Sequence, residues 1–151
     1  MKQRTLLREV SIKGNALHTG DSVHMTFKPA PANHGIVFRR VDLNPVVELP
    51  ARVDYVCESR LCTMLRRDGV QVGTIEHLLA ACAGVGIDNM IVELSASEVP
   101  IMDGSAGPLV FLLQSAGIAE QHQPRHYVRV LRPIEVSDGD KFAALYPSDS
   151  F

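Results

Sequence analysis

Residues 74–94 read TIEHLLAACAGVGIDNMIVEL, and two periods in this stretch decide the fold. Ile75, Leu78, Leu79 and Cys82 recur at the spacing of one helix face. Thr74 is placed to cap the free N–H groups of the first turn, and Gly84 and Gly86 end the helix. Asn89 to Leu94 is then a short, mostly apolar run of the kind that makes a buried strand. A helix with one apolar face beside such a strand belongs to a layered domain.

Upstream, residues 5 to 12 and 22 to 28 alternate like half-buried strands, and the turn residues Gly14, Gly20 and Asp21 predict a hairpin between them. Ile36 to Arg40 is a further strand. The prolines of residues 42–45 and 48–50 predict a loop or small subsheet after it, because proline removes a ladder donor. Leu61 to Leu65 and Val70 to Val72 flank Arg66-Arg67-Asp68-Gly69, whose Asp-Gly pair is a hairpin signal.

Downstream, Val99 to Met102 leads through Asp103-Gly104-Ser105-Ala106-Gly107 into Pro108, which suits the start of a helix. That second helix runs to about Ala116, with Leu109, Leu112 and Leu113 inward and Gly117 stopping it in the left-handed position. His122 to Pro124 reads as a polar connector. Tyr127 to Val136 and Phe142 to Tyr146 follow as two strands joined by Ser137-Asp138-Gly139-Asp140. The expected fold is therefore α+β: a mixed β-sheet with two helices layered on one face, plus a further hairpin.

Composition narrows the function. Apolar residues make up 46% and charged residues 21% of the 151, the balance of a globular chain rather than a disordered one. Fifteen basic against seventeen acidic residues leave a net charge of −2, which gives no footprint for nucleic acid. No apolar stretch approaches the roughly 18 residues of a membrane span. The opening MKQRTLLREVSIKG lacks the apolar core of a signal peptide, so a cytoplasmic location is expected. Cys57, Cys62 and Cys82 are an odd number at no zinc-knuckle spacing, and read as free thiols on small buried or half-buried side chains.

Glu76 and His77 stand in the first turn of the first helix and point away from its apolar stripe. The positive end of the helix dipole lies there, which attracts a carboxylate and is compatible with a neutral, metal-binding imidazole. The pair serves equally as a dipole-matched glutamate beside an exposed polar residue. Neither H-E-x-x-H nor H-x-x-E-H is present. Of the other histidines, His24, His34, His122 and His126 read as strand, turn and surface residues, while His18 sits in the glycine-bounded loop of residues 14–20, where backbone can approach a ligand. Asp103 reads as a turn residue bonding local amides, and phosphate at that helix start stays open.

Leu17-His18-Thr19-Gly20, Lys28-Pro29-Ala30-Pro31, Thr74-Ile75-Glu76-His77-Leu78, Gly86-Ile87-Asp88-Asn89 and, above all, Glu98-Val99-Pro100-Ile101-Met102-Asp103-Gly104-Ser105-Ala106 resemble the UDP-3-O-acyl-N-acetylglucosamine deacetylases, in the same order over essentially all of the chain. The resemblance implies two similar domains, each a mixed sheet layered with two helices, with the active site between them. It implies removal of the N-acetyl group from UDP-3-O-(3-hydroxyacyl)-N-acetylglucosamine, releasing acetate, in lipid A synthesis of Gram-negative bacteria. It also implies that His77 is a Zn2+ ligand, that Glu76 is the general base toward water activated by the metal, and that His18, Leu61, Cys62 and Thr63 line the substrate site.

On that resemblance, residues 1–121 form the first deacetylase domain, 122–125 a connector, and 126–151 the start of a truncated second domain. The family's other zinc ligands, a histidine and an aspartate in a His-Lys-x-x-x-Asp pattern, and its acid histidine belong to the second domain. No His-Lys pair occurs here. The expectation is of an amino-terminal half, inactive alone and completed by a second domain supplied on the same or a separate polypeptide. The alternative from a different class is a catalytically dead binding or assembly module with the same first-domain fold.

Overall fold

The computed structural model describes residues 1–58 and 60–149. Its centre is a five-stranded mixed sheet made of β2 (Val10–Asn15), β3 (Ser22–Pro29), β4 (Ile36–Arg40), β5 (Val47–Pro50) and β9 (Met90–Leu94). These lie in the order β2-β3-β9-β4-β5, with β4 parallel to β9 and the other pairs antiparallel. Register puts Phe27, Val92, Phe38 and Leu49 in one row across four strands. All four are fully buried, as are Val23, Met25, Met90 and Leu94 on the same face. The opposite face carries Lys28, Glu93, Arg39 and Glu48, joined by ion pairs Lys28–Glu93 at 2.8 Å, Arg39–Glu93 at 3.2 Å and Arg39–Glu48 at 3.2 Å. Alternation along each strand thus separates a core face from a solvated one.

Helices α1 (Glu76–Val85) and α2 (Gly107–Ala116) pack on each other and on the apolar face. Ile75, Leu78, Ala81 and Cys82 enter the core from the first helix, and Leu109, Leu113 and Ala116 from the second. Gly86 closes α1 with φ 76° and ψ 36°, the left-handed cap expected of it. Gly84 instead lies inside the helix. Thr74 does not cap: Ile75 holds that position with no side-chain bond, and Thr74 is turned away at φ 57°. Gly117 follows α2 with the positive φ expected of it, 75°, but its ψ of 153° lies outside the left-handed helical cap, and the chain leaves directly into a strand.

That strand is β10 (Ile118–Pro124), antiparallel to β1 (Lys2–Leu6). Residues 5 to 12 are therefore not one strand. Val10–Asn15 pairs with β3 in the expected hairpin, while Lys2–Leu6 leaves for β10. Residues 122–124, expected as connector, are the end of β10. Amide side chains bind the strand in place: Asn89, 1% exposed, donates to Gln3 Oε1 at 2.8 Å and Gln121 Oε1 at 2.7 Å, and Gln3 Nε2 donates to the Pro124 carbonyl at 2.9 Å. Asp88 accepts the Arg4 amide at 2.8 Å and pairs with Arg125 at 2.8 Å, tying the ribbon to the end of α1.

A small antiparallel sheet holds β6 (Val56–Glu58), β7 (Met64–Arg67) and β8 (Val70–Val72), preceded by a 3₁₀ turn at Val53–Tyr55. Asp68 at φ 50° and Gly69 at φ 79° make the predicted two-residue hairpin turn. The strand expected over residues 61–65 starts only at Met64. Val47–Pro50, read as irregular, is an edge strand, where a terminal proline costs no central ladder bond. Arg40, 8% exposed, joins the two sheets: it pairs bidentately with Asp42 at 2.8 and 2.6 Å and donates to the Gln71 carbonyl at 2.9 Å. That guanidinium holds the Asp42 carboxyl below the usual range.

Residues 125–133 have no regular structure, so the strand expected from Tyr127 begins at Ile134. The hairpin itself forms from β11 (Ile134–Asp138) and β12 (Lys141–Leu145) around Gly139-Asp140. Ile134, Val136, Phe142 and Leu145 on it are exposed. The last two residues of the expected 126–151 segment lie outside the described residues.

Candidate functional site

Three segments meet at the start of α1: the loop of residues 16–21 between β2 and β3, the turn of residues 60–63 before β7, and residues 97–99 after β9. Gly73 and Glu98 form a parallel bridge, with the Gly73 amide on the Ser97 carbonyl at 2.9 Å and the Val99 amide on the Gly73 carbonyl at 3.1 Å. The next residue, Thr74, is buried and held at φ 57°. Positive φ is costly for a β-branched side chain and persists only where the surroundings over-determine it. Here the Thr74 hydroxyl donates to Glu98 Oε1 at 2.7 Å.

Glu98 is 3% exposed, and its carboxylate is the hub of the site. Oε1 accepts the amides of Leu17 at 3.1 Å and His18 at 3.1 Å, and Oε2 those of His18 at 3.2 Å and Thr19 at 3.0 Å. Burial alone would raise its pKa. The Thr74 hydroxyl and the His18 and Thr19 amides outweigh that and hold the carboxyl below the ordinary glutamate range. Sequence reasoning assigned Glu98 no role. The available signal was an acid standing alone between a buried strand and the apolar Val99-Pro100-Ile101 run.

Glu76 is half-buried, and its Oε2 accepts the Thr63 amide at 2.9 Å while the Ile75 amide reaches the Thr63 carbonyl at 3.4 Å. The helix start and the turn at Cys62 and Thr63 are thereby locked together. A pocket of about 80 Å³ opens beside them, lined by His18, Thr19, Cys62, Met64, Thr74 and Glu98 among others. Of the residues picked out from sequence, the structure brings His18 and Cys62 into this pocket and bonds Thr63 to Glu76. Leu61 is 91% exposed at φ 62° and is not among the pocket's lining residues.

His77 is half-buried, outside the core stripe, as its phase on the helix predicts. Among the described residues no three histidine, cysteine, aspartate or glutamate side chains are grouped to hold a metal ion. A catalytic zinc takes three protein ligands and one open position. His24, His122 and His126 are exposed and His34 is half-buried, in keeping with the roles expected of them. Cys62 is half-buried and Cys82 buried; Cys57, expected to be covered, is exposed at the margin of the small sheet.

Asp103 has the turn role read for it. Its Oδ1 accepts the Ser105 amide at 2.9 Å and hydroxyl at 2.8 Å, and Ser105 Oγ in turn accepts the Gly107 amide at 3.1 Å at the head of α2. The Ser105 amide and hydroxyl hold the Asp103 carboxyl below its usual range.

Over residues 3–151 the sequence matches the family model described as UDP-3-O-acyl N-acetylglycosamine deacetylase. It is 56% identical over 151 residues to the UDP-3-O-acyl-N-acetylglucosamine deacetylase of Stenotrophomonas maltophilia strain K279a, a match covering 100% of this chain and 50% of that one. Against the protein of the same name from Saccharophagus degradans it is 58% identical over 151 residues, again 50% of that chain. With the one from Xanthomonas axonopodis pv. citri the identity is 55% over 150 residues, 99% of this chain and 50% of that one. The chain thus spans about half the length of the curated relatives it matches.

Proposed function

The chain belongs to the UDP-3-O-acyl N-acetylglycosamine deacetylase family, and we propose on that premise that it forms the part of a deacetylase that supplies the general base and one metal ligand. The substrate is a UDP-3-O-acyl-N-acetylglucosamine, the product acetate, and the step belongs to lipid A synthesis. The observation that carries this reading is the Glu76–Thr63 bond at the head of α1, beside the pocket lined by His18, Cys62 and Thr74.

His77 would hold Zn2+ together with ligands from the part of the family's length that this sequence does not include. Bound zinc supplies Lewis-acid chemistry, polarising a carbonyl oxygen and acidifying water. The chain's own contribution is positional. Glu76 has one carboxylate oxygen committed to the Thr63 amide, which fixes the rotamer and leaves the other oxygen to take a proton from the attacking water. Its place in the first turn of α1 keeps the carboxylate at the positive end of the helix dipole. Among the described residues no helix is long and apolar enough to cross a membrane.

The test is acetate release from the acylated UDP-sugar, followed with the whole polypeptide that carries this sequence and with residues 1–151 alone. Glu76→Gln lowers kcat by about 10² to 10⁴, the usual share of a general base, and keeps its zinc. His77→Ala loses zinc as well as turnover. Residues 1–151 alone give no turnover. Retention of more than about a tenth of kcat by Glu76→Gln refutes the assignment.

A further inference from the structure

We propose that Glu98 is a positioning residue for this site: its buried carboxylate holds the loop of residues 17–19 against Thr74, so that His18 is presented to the ligand in one geometry. The inference rests on the functional reading above for what His18 meets, but its structural half stands on the hydrogen bonds alone. Three successive amides and one hydroxyl converge on a single carboxylate. No lysine or arginine pairs with it among the described residues.

Burying an ionised carboxylate without a paired lysine or arginine is costly, and amide donors offset that cost only while they stay aimed at it. Within the loop, the Ala16 amide donates to the Asp21 carbonyl at 2.9 Å and the Asp21 amide to Thr19 Oγ1 at 3.3 Å, which close its base but leave the Leu17 and His18 amides to Glu98. Leu17, His18 and Thr19 are all exposed, and below them only Ala16 reaches the core. The core therefore grips the loop at its base, and Glu98 grips its tip. The same carboxylate takes the Thr74 hydroxyl two residues before Glu76, so one side chain sets both the His18 backbone and the strained turn that launches the helix. His18, Thr19, Thr74 and Glu98 line the same pocket.

Glu98→Gln would turn an amide donor toward amide donors and release the loop. On the whole polypeptide, hydrogen exchange of the Leu17, His18 and Thr19 amides is expected to speed up by at least about tenfold in this variant, while the β9 amides keep their protection. With the acylated UDP-sugar, KM is expected to rise about tenfold and kcat to stay within about threefold. In a His18→Ala background the further effect of Glu98→Gln on KM is expected to be under about twofold, since both changes remove one interaction.

Full additivity of the two substitutions, or faster loop exchange with an unchanged KM, overturns the positioning role. Glu98→Asp, which keeps the charge but draws the carboxylate back from the loop amides, carries the same comparison should Glu98→Gln not fold. If the unsubstituted protein fails to turn over the sugar, the functional reading falls. The exchange measurement then still decides whether Glu98 holds the loop, and unchanged exchange rejects it.

Discussion

Gly14→Ala tests how tightly β2 is pressed against the segment that follows Glu98. Gly14 sits in β2 opposite Val23, and the next residue receives the Ile101 amide on its carbonyl at 3.0 Å. A Cβ added at Gly14 would stand 2.9 Å from Met102 Sδ and 2.9 Å from Pro100 Cβ. The thioether can swing aside; the proline ring is fixed to the backbone, so relief requires residues 100–102 to move. Overpacking of this kind costs about 1–3 kcal/mol, and the rigid partner argues for about 2. With a urea slope of about 2 kcal/mol per molar, the unfolding midpoint falls by about 1 M. Gly20→Ala is the control. Nothing lies within 4 Å of its added Cβ, and only φ 74° opposes the change, a purely conformational cost of about 1 kcal/mol. Urea unfolding of both variants, followed by far-ultraviolet circular dichroism, decides the matter. A Gly14→Ala midpoint displaced no further than that of Gly20→Ala refutes the steric account.

Phe38, fully buried in the central row, is expected to cost about 3–5 kcal/mol as Phe38→Ala in the same experiment; a loss below about 1 kcal/mol would mean the row repacks around the cavity. Thiol labelling at mildly alkaline pH should modify exposed Cys57 first and Cys62 more slowly. Cys82, whose thiol burial pushes up to about 12, should react only on unfolding; equal rates for Cys57 and Cys82 contradict the burial. Glu98 has a folded pKa below its unfolded value of about 4.5, so its contribution is complete above that value and is lost as pH falls through the lower, folded one. The stability gap between the unsubstituted protein and Glu98→Gln should therefore narrow on acidification, and a gap that stays constant to low pH is evidence against the clamp.

Elements whose signal is local were legible from the chain alone. The stripe through Ile75, Leu78 and Cys82, the buried run to Leu94, the Asp68-Gly69 turn and the helix entry at Pro108 each carry their conformation within a few residues, through side-chain period or backbone preference. The phase of Glu76 and His77 on the helix likewise put both outside that stripe, where they are half-buried, while the roles expected of them came from the resemblance and not from spacing.

What required tertiary structure were the features with distant partners. Residues 2 to 15 divide between two sheets because β10, more than a hundred positions later, takes Lys2–Leu6, and alternation cannot say which strand a segment pairs with. Residues 122–124 looked like linker because their polar sequence does not reveal that the backbone pairs with β1, where the Pro124 carbonyl also accepts Gln3 Nε2 at 2.9 Å. Thr74 at φ 57° departs from the cap its sequence predicts, since Glu98 offers its hydroxyl a better bond than the helix end does. Glu98 itself was invisible for the same reason: a carboxylate is read as solvated until the amides that surround it, some 80 positions earlier, have been brought to it by the fold.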